Sequence, residues 1–227
     1  MQCYCIDVTQ PVKSQVAGRT RRSDRAEQTR RRIVDAASAL FDERGYSLTT
    51  IEAIAARADV AVETVYSRFR NKANLLQAIL EPAIVGGDYG RELFDRPEIA
   101  EIRELKDQQK QLRLLARFSR GILERSYIPH RILRSAASSD PYAGELQRRD
   151  AKRRGDGQRI YIDMLLANGP LRDGLTPEAA AATYSALSNP STYALLVGER
   201  GWSADHFEQW LGDSLTLLLM PHVTGLG

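Results

Sequence analysis

The sequence predicts an all-α protein, with a small three-helix unit ahead of a larger helical body. Three observations carry that reading. Apolar residues recur at helical spacing along most of the chain, no run alternates convincingly with period two, and the breaks carry glycine or cap-then-proline signals. With 227 residues, 43% of them hydrophobic, the chain can bury a core without metal or disulfide staples. Glycine and proline do not cluster, so most of the chain is expected to be ordered.

The first helix is expected from about Asp24, capped by Ser23, to Gly45. Ile33, Ala37, Leu40 and Phe41 make one buried stripe, leaving Arg30, Arg31, Asp35, Asp42 and Glu43 to water. Gly45 suits a left-handed helix end. Thr50 caps a short second helix with Ile51, Ile54, Ala55 and Ala58 on its apolar face. Asp59 and Val60 interrupt, and Val62, Val65 and Phe69 mark the inner side of a third helix. Asn71 caps a fourth, which carries Leu75, Leu76, Ile79 and Leu80. Gly86-Gly87-Asp88 closes this unit. The expected divisions are a basic, flexible arm over 1–22, a first domain over 23–85 and a second over 86–227.

In the second part, Pro97 fits the first turn of a helix. A long stretch follows with Leu112, Leu115, Phe118 and Ile122 on one face, which Pro129 is expected to break or kink. Asp140-Pro141 and Thr176-Pro177 read as helix starts, Asn189-Pro190 as a break, and Gly201 with Ser203 as the separator of the last two helices.

Two short helices joined by a tight turn form a helix-turn-helix, whose second helix fits the DNA major groove. With Val62, Val65 and Phe69 inward, Thr64, Ser67 and Arg68 share an outer surface at i, i+3, i+4. Their hydroxyls can bond phosphates or bases, and the arginine can fork onto guanine. Lys72 is placed to hold a phosphate, a contact that sets register rather than sequence. Spacing alone leaves open a helical bundle whose polar face is merely solvated.

The formal charge is only +3, yet Lys13 to Arg32 holds eight basic residues against Asp24 and Glu27. Taken alone, that block fits nucleic acid, an acidic membrane or a solvated tail.

The residue pattern favours nucleic acid. Ile33, Ala36, Phe41, Gly45, Thr50, Ile54-Ala55, Ala58, Val60, Thr64-Val65-Tyr66, Phe69, Lys72 and Leu75-Leu76 stand in order and spacing. Over Arg30 to Leu80, about a quarter of the chain, this resembles the N-terminal domain of the TetR family of transcriptional regulators. The resemblance implies a three-helix DNA-binding domain on a C-terminal helical ligand-binding and dimerisation domain. It implies DNA-facing positions at Thr50, Thr64, Tyr66, Ser67, Arg68 and Lys72, with the tyrosine and lysine on the phosphate backbone. Val62 and the arm residues Arg21, Arg22 and Arg25 complete the expected DNA-binding set, together with Arg19. Each phosphate so neutralised adds roughly 0.9 to the salt slope of binding. Two positions depart from the family. Asp59 replaces the usual glycine of the turn, and Ala61 stands where serine often caps the recognition helix, a loss of about 1 kcal/mol. Both predict a softer turn.

The body resembles the family only in architecture. Its last helix is apolar on more than one side, so one side packs inward and another meets a partner. The expected homodimer interface comprises Tyr184, Leu187, Leu195, Phe207, Trp210, Leu211 and Leu218. A pocket for a small-molecule effector is expected among Phe118, Ile122, Tyr127, His130, Tyr161, Met164, Leu165 and Tyr184.

Catalysis finds little support. The three histidines have no metal spacing, and neither a nucleophile elbow nor a phosphate loop occurs. No catalytic residue, metal or cofactor is expected. Cys3 and Cys5 look unlike a disulfide or zinc framework, and no apolar run reaches the roughly 18 residues of a membrane span. A cytoplasmic homodimer acting on double-stranded operator DNA is the leading expectation. The alternative is a helical module that binds a protein partner or an acidic membrane.

Overall fold

The computed structural model describes residues 21–86 and 93–221, the side chains of residues 21–23 and 93 excepted. Cys3, Cys5, Arg19, Gly87 and Asp88 lie outside that set, as do the side chains of Arg21 and Arg22. Among the described residues the chain is helical, with no strand.

The first unit comprises α1 (Arg21–Arg44), α2 (Ile51–Ala58), α3 (Val62–Phe69) and α4 (Lys72–Val85). The expected caps are in place. Thr50 Oγ1 accepts from the Ala53 amide at 3.2 Å and Asn71 Oδ1 from Asn74 at 2.9 Å. Gly45, at φ +79°, closes α1 by donating its amide to the Phe41 carbonyl at 3.0 Å. One expectation fails here. Because α1 already begins at Arg21, Ser23 stands within its first turn rather than ahead of the helix.

The second unit contains α5 (Pro97–Glu104), α6 (Gln108–Ala137), α7 (Pro141–Leu166), α8 (Pro177–Leu187), α9 (Pro190–Tyr193) and α10 (Ala204–Leu219). Pro129 does not break α6, which continues to Ala137. The ring is buried, and packing on both flanks of a 30-residue helix outweighs one missing amide bond.

The described residues form two hydrophobic cores. The body core gathers Ile99, Leu112, Leu115, Tyr184, Phe207 and Leu211 with their neighbours. The other fills α1–α4 but also takes in Ile132, Leu133 and Ala136 of α6 and Ala143 and Leu146 of α7. The helix-turn-helix unit is thus packed onto the far end of α6 rather than tethered to it. Polar contacts reinforce the seam. Tyr46 Oη donates to Asp140 Oδ2 at 2.6 Å, Arg131 pairs with Asp42 at 2.8 Å, and the Ser47 and Ser139 hydroxyls meet at 3.3 Å. No helix of the described residues is long and apolar enough to cross a membrane.

Candidate functional site

The geometry of the helix-turn-helix follows from its inward residues. Ile51, Ile54, Ala55 and Ala58 of α2 and Val65 and Phe69 of α3 are buried, and Val62 packs partly against them. This orientation turns Ser67 and Arg68 fully outward, leaves Thr64 half-buried and exposes 48% of Tyr66. Ser67 Oγ donates to the Thr64 carbonyl at 3.1 Å. The Arg68 guanidinium has no hydrogen bond or ion pair among the described residues. Arg25 is exposed on α1.

The turn is better held than its sequence suggests. Asp59 takes the left-handed conformation that glycine would take, at φ 51° and ψ 57°. Arg32 of α1 then donates to the carbonyls of Ala58 and of Asp59, the latter at 2.6 Å. These bonds meet the carbonyls orphaned at the end of α2. The Asp59 carboxylate itself, 3.6 Å from Arg32, is fully exposed and adds little. Ala61 makes no side-chain cap, as its residue type dictates, yet its backbone is already extended at φ −68°, ψ 147°. Ala61→Ser is therefore expected to raise the unfolding free energy by about 1 kcal/mol. Urea denaturation measures it, and an unchanged midpoint would mean that the α3 amides already have partners.

Lys72 has a second employment that the sequence does not reveal. Its ammonium donates to the carbonyls of Tyr46 at 2.8 Å and Thr49 at 2.9 Å, and lies 4.3 Å from the centre of the Tyr46 ring. Burial lowers its pKa, opposed in part by Asp140. An ammonium has three donors, so one remains for an outside anion. Lys72 stitches the start of α4 to the loop before α2.

A cavity of about 950 Å³ lies between α6 and α7, bordered by α1 and α4. Of the expected pocket residues, Ile122, His130, Tyr161 and Tyr184 line it. Phe118, Tyr127, Met164 and Leu165 do not. Phe118 packs on Tyr161 from the side, Tyr127 leans on Tyr193 at 5.4 Å, and Met164 and Leu165 are buried in the body core. Sequence reasoning missed the polar lining of Ser126, Asp150, Arg154 and Gln158. Its signal was the four-residue spacing of Ser126 with His130, and of Asp150 with Arg154 and then Gln158, which puts polar groups on single helix faces.

That lining is an ordered network. His130 Nδ1 donates to the Ser126 carbonyl at 2.8 Å, so in the neutral ring Nε2 accepts, here from Arg154 Nη1 at 3.1 Å. Arg154 Nη1 also bonds Asp150 Oδ2, which lies 3.1 Å from His130 Nε2. Proximity to Asp150 alone would favour a charged imidazole. Burial and the Arg154 charge prevail and push the His130 pKa down to about 4, so the arginine proton bridges two acceptors.

The dimer expectation needs correction. Tyr184, Phe207 and Leu211 are fully buried within the protomer and have no surface to offer. The Tyr184 hydroxyl sits 2.7 Å from that of Ser119. Leu187, Trp210 and Leu218 are half-buried, Leu195 is exposed, and Leu217, outside the expected interface set, is 63% exposed.

Residues 33–79 match the model of the bacterial regulatory proteins of the tetR family. The transcriptional regulator TtgR of Pseudomonas putida is 41% identical over 61 residues, 27% of this chain and 29% of the relative. The chain therefore aligns with less than a third of that relative's length. At the level of the whole fold, a transcriptional regulator from Saccharomonospora viridis, solved with choline, is similar with a TM-score of 0.63 at 24% identity, over 85% of this chain and 98% of that one. NalD, the secondary repressor of the MexAB-OprM multidrug efflux pump in Pseudomonas aeruginosa, gives 0.64 at 24% identity, over 87% and 98%. Residues 33–79 thus match the N-terminal domain of the tetR family of bacterial regulatory proteins, and the fold around them is similar to that of the two solved regulators.

Proposed function

We propose that the chain is a cytoplasmic, homodimeric, sequence-specific transcription regulator, a repressor released from operator DNA by a small molecule rather than an enzyme. The observation that carries this reading is the outer face of α3, where Arg68 has no partner within the described residues and stands beside Ser67, Thr64 and the exposed Tyr66. A merely solvated face would more often engage its arginine in a local ion pair, as Arg31, Arg57 and Arg159 do. Arg25 and the arm residues ahead of it add sequence-independent affinity. The outward apolar residues Leu187, Leu195, Trp210, Leu217 and Leu218 serve the dimer, which sets two recognition helices on successive major grooves roughly 34–36 Å apart. The cavity takes the effector, a role in keeping with the choline carried by one similar structure. Because α1 and α4 border the cavity, a ligand there favours one placement of the DNA-binding unit over another and shifts the population.

A gel-shift titration against the DNA upstream of the protein's own gene tests the reading. It fails if no fragment binds more tightly than random duplex at moderate salt. Arg68→Ala is expected to cost about 1–3 kcal/mol on the preferred sequence and relax its preference. Lys72→Ala is expected to weaken all sequences alike and to lower the salt slope by about 1. If both variants bind as the parent does, α3 does not read DNA through this face.

A further inference from the structure

The cavity presents a specific set of unmet hydrogen-bonding atoms. Gln158 Oε1, Asp150 Oδ1 and Ser126 Oγ are buried without a hydrogen-bond partner among the described residues, and all three residues line the cavity. The Gln158 amide nitrogen is committed to Ser188 Oγ at 3.2 Å, so its remaining atom is an acceptor. Asp150 Oδ1 has Arg153 no nearer than 3.5 Å, while Oδ2 is bonded by Arg154. The Tyr161 hydroxyl, also on the lining, has no hydrogen bond among the described residues. Buried polar atoms without partners are rare in folded proteins, and a cluster of them around one cavity calls for an occupant. Water can meet such atoms singly, but it gains nothing from the aromatic wall beside them. In that wall Phe94 and Tyr184 flank Tyr161 with ring centroids 5.5 and 5.7 Å away.

Charge narrows the class of occupant. Arg154 is bonded to the single Asp150 carboxylate, Arg153 stands 3.5 Å from it, and His130 is neutral. At the α1 side Arg31 pairs with Glu27 at 3.2 Å, and Arg30 and Glu81 add one charge of each sign. A cation would meet two guanidiniums for one carboxylate. An anion at the polar wall would meet acceptors that repel it and an Arg154 already bonded to Asp150. A hydroxyl donates and accepts at one atom, so it answers both the acceptors and the tyrosine hydroxyl.

We propose that the cavity binds an uncharged, ring-bearing molecule with two or more hydroxyl groups, its rings against the aromatic wall and its hydroxyls on Gln158, Asp150 and Ser126. This rests on the reading of the body as an effector-binding domain. Calorimetric titration of the full chain at neutral pH with dihydroxybiphenyl, biphenyl dicarboxylate and bis(aminomethyl)biphenyl tests it. The diol is expected to bind at least about tenfold more tightly than either charged analogue. Gln158→Leu and Ser126→Ala are each expected to weaken the diol by about tenfold and to leave the charged analogues unchanged. Ser126→Ala removes a hydroxyl without a partner, so it is the variant expected to keep the parent melting temperature. The proposal is overturned if a charged analogue matches the diol, if none of the three binds, or if both variants bind the diol as the parent does. A gel shift without any ligand reads the regulator assignment separately, since failure there leaves the calorimetric order untouched.

Discussion

Replacing Arg154 with methionine is expected to destabilise the protein by about 3–5 kcal/mol, a large share of the roughly 5–15 kcal/mol that holds a typical domain together. The Asp150 side chain is 2% exposed, and Arg154 is the only arginine that hydrogen-bonds its carboxylate among the described residues. Arg153 approaches to 3.5 Å from a largely exposed position, and a neutral His130 offers Nε2 as an acceptor rather than a donor. Methionine would leave a buried carboxylate without adequate compensation. The double variant Asp150→Leu, Arg154→Met removes both charges and is expected to recover most of the loss, because apolar replacement of a whole buried pair is commonly neutral or stabilising. Urea unfolding of parent, single and double variants measures this. A loss below about 1 kcal/mol for the single variant would mean that solvent reaches Asp150 and that the network is not a dry one.

That comparison bears on function as well. If leucine and methionine serve the fold equally well, stability does not explain why the chain keeps a carboxylate, two arginines and an imidazole at one wall of a cavity. Strongly perturbed titratable groups gathered at a cleft are more often found where something binds. The network also sits between the two units. It belongs to the middle of α6 and α7, and the ends of those same helices carry Ala136, Ala143 and Asp140, which pack on or bond to the helix-turn-helix unit. Asp140 leads through Tyr46 to Lys72, so a chain of hydrogen bonds joins the start of α7 to the start of α4, just after α3.

The helix-turn-helix was readable in the sequence because its local signals agree. Thr50 and Asn71 cap where the apolar period restarts, and Ile51, Ile54, Ala55 and Ala58 occupy one face whatever else surrounds them. Other features depend on tertiary context, which periodicity does not carry. Spacing shows that Phe207, Leu211 and Leu218 share a stripe and that Trp210 and Leu217 lie off it, but not which stripe meets the protomer's own core. Pro129 breaks helices by local rules, and only the packing around α6 shows why it does not do so here. Lys72 reads as a free cation until the Tyr46 and Thr49 carbonyls are seen to fold beneath it. The polar lining was hardest to see. Asp150, Arg154 and Gln158 fall within a strongly hydrophilic stretch of α7, where three buried polar residues look no different from their solvated neighbours.

Acidification supplies the second large effect, through His130. Its folded pKa, about 4, lies below the ordinary value of 6.5, chiefly because burial disfavours the imidazolium and secondly because Arg154 repels it. As pH falls, the unfolded chain takes up this proton first. The stability His130 confers is therefore fully present above about pH 6.5 and is lost as pH falls toward 4. The slope approaches about 1.4 kcal/mol per pH unit inside that window, and the total is about 3 kcal/mol. Glu43 and Glu178 have carboxyls held below their ordinary value of 4.5 by Arg57 and by backbone hydrogen bonding respectively. Their contributions begin to fade only below about pH 4.5, so the interval from about 6.5 to about 4.5 isolates the histidine from them. Urea unfolding at steps across that interval is expected to give a falling free energy in the parent and a flatter profile in His130→Gln, which keeps an acceptor for Arg154 but does not titrate. A parent whose stability rises on acidification would instead make His130 and Asp150 a true ion pair. The cavity wall would then carry a formal charge that the neutral network denies it, and the preference for an uncharged occupant would lose its electrostatic basis.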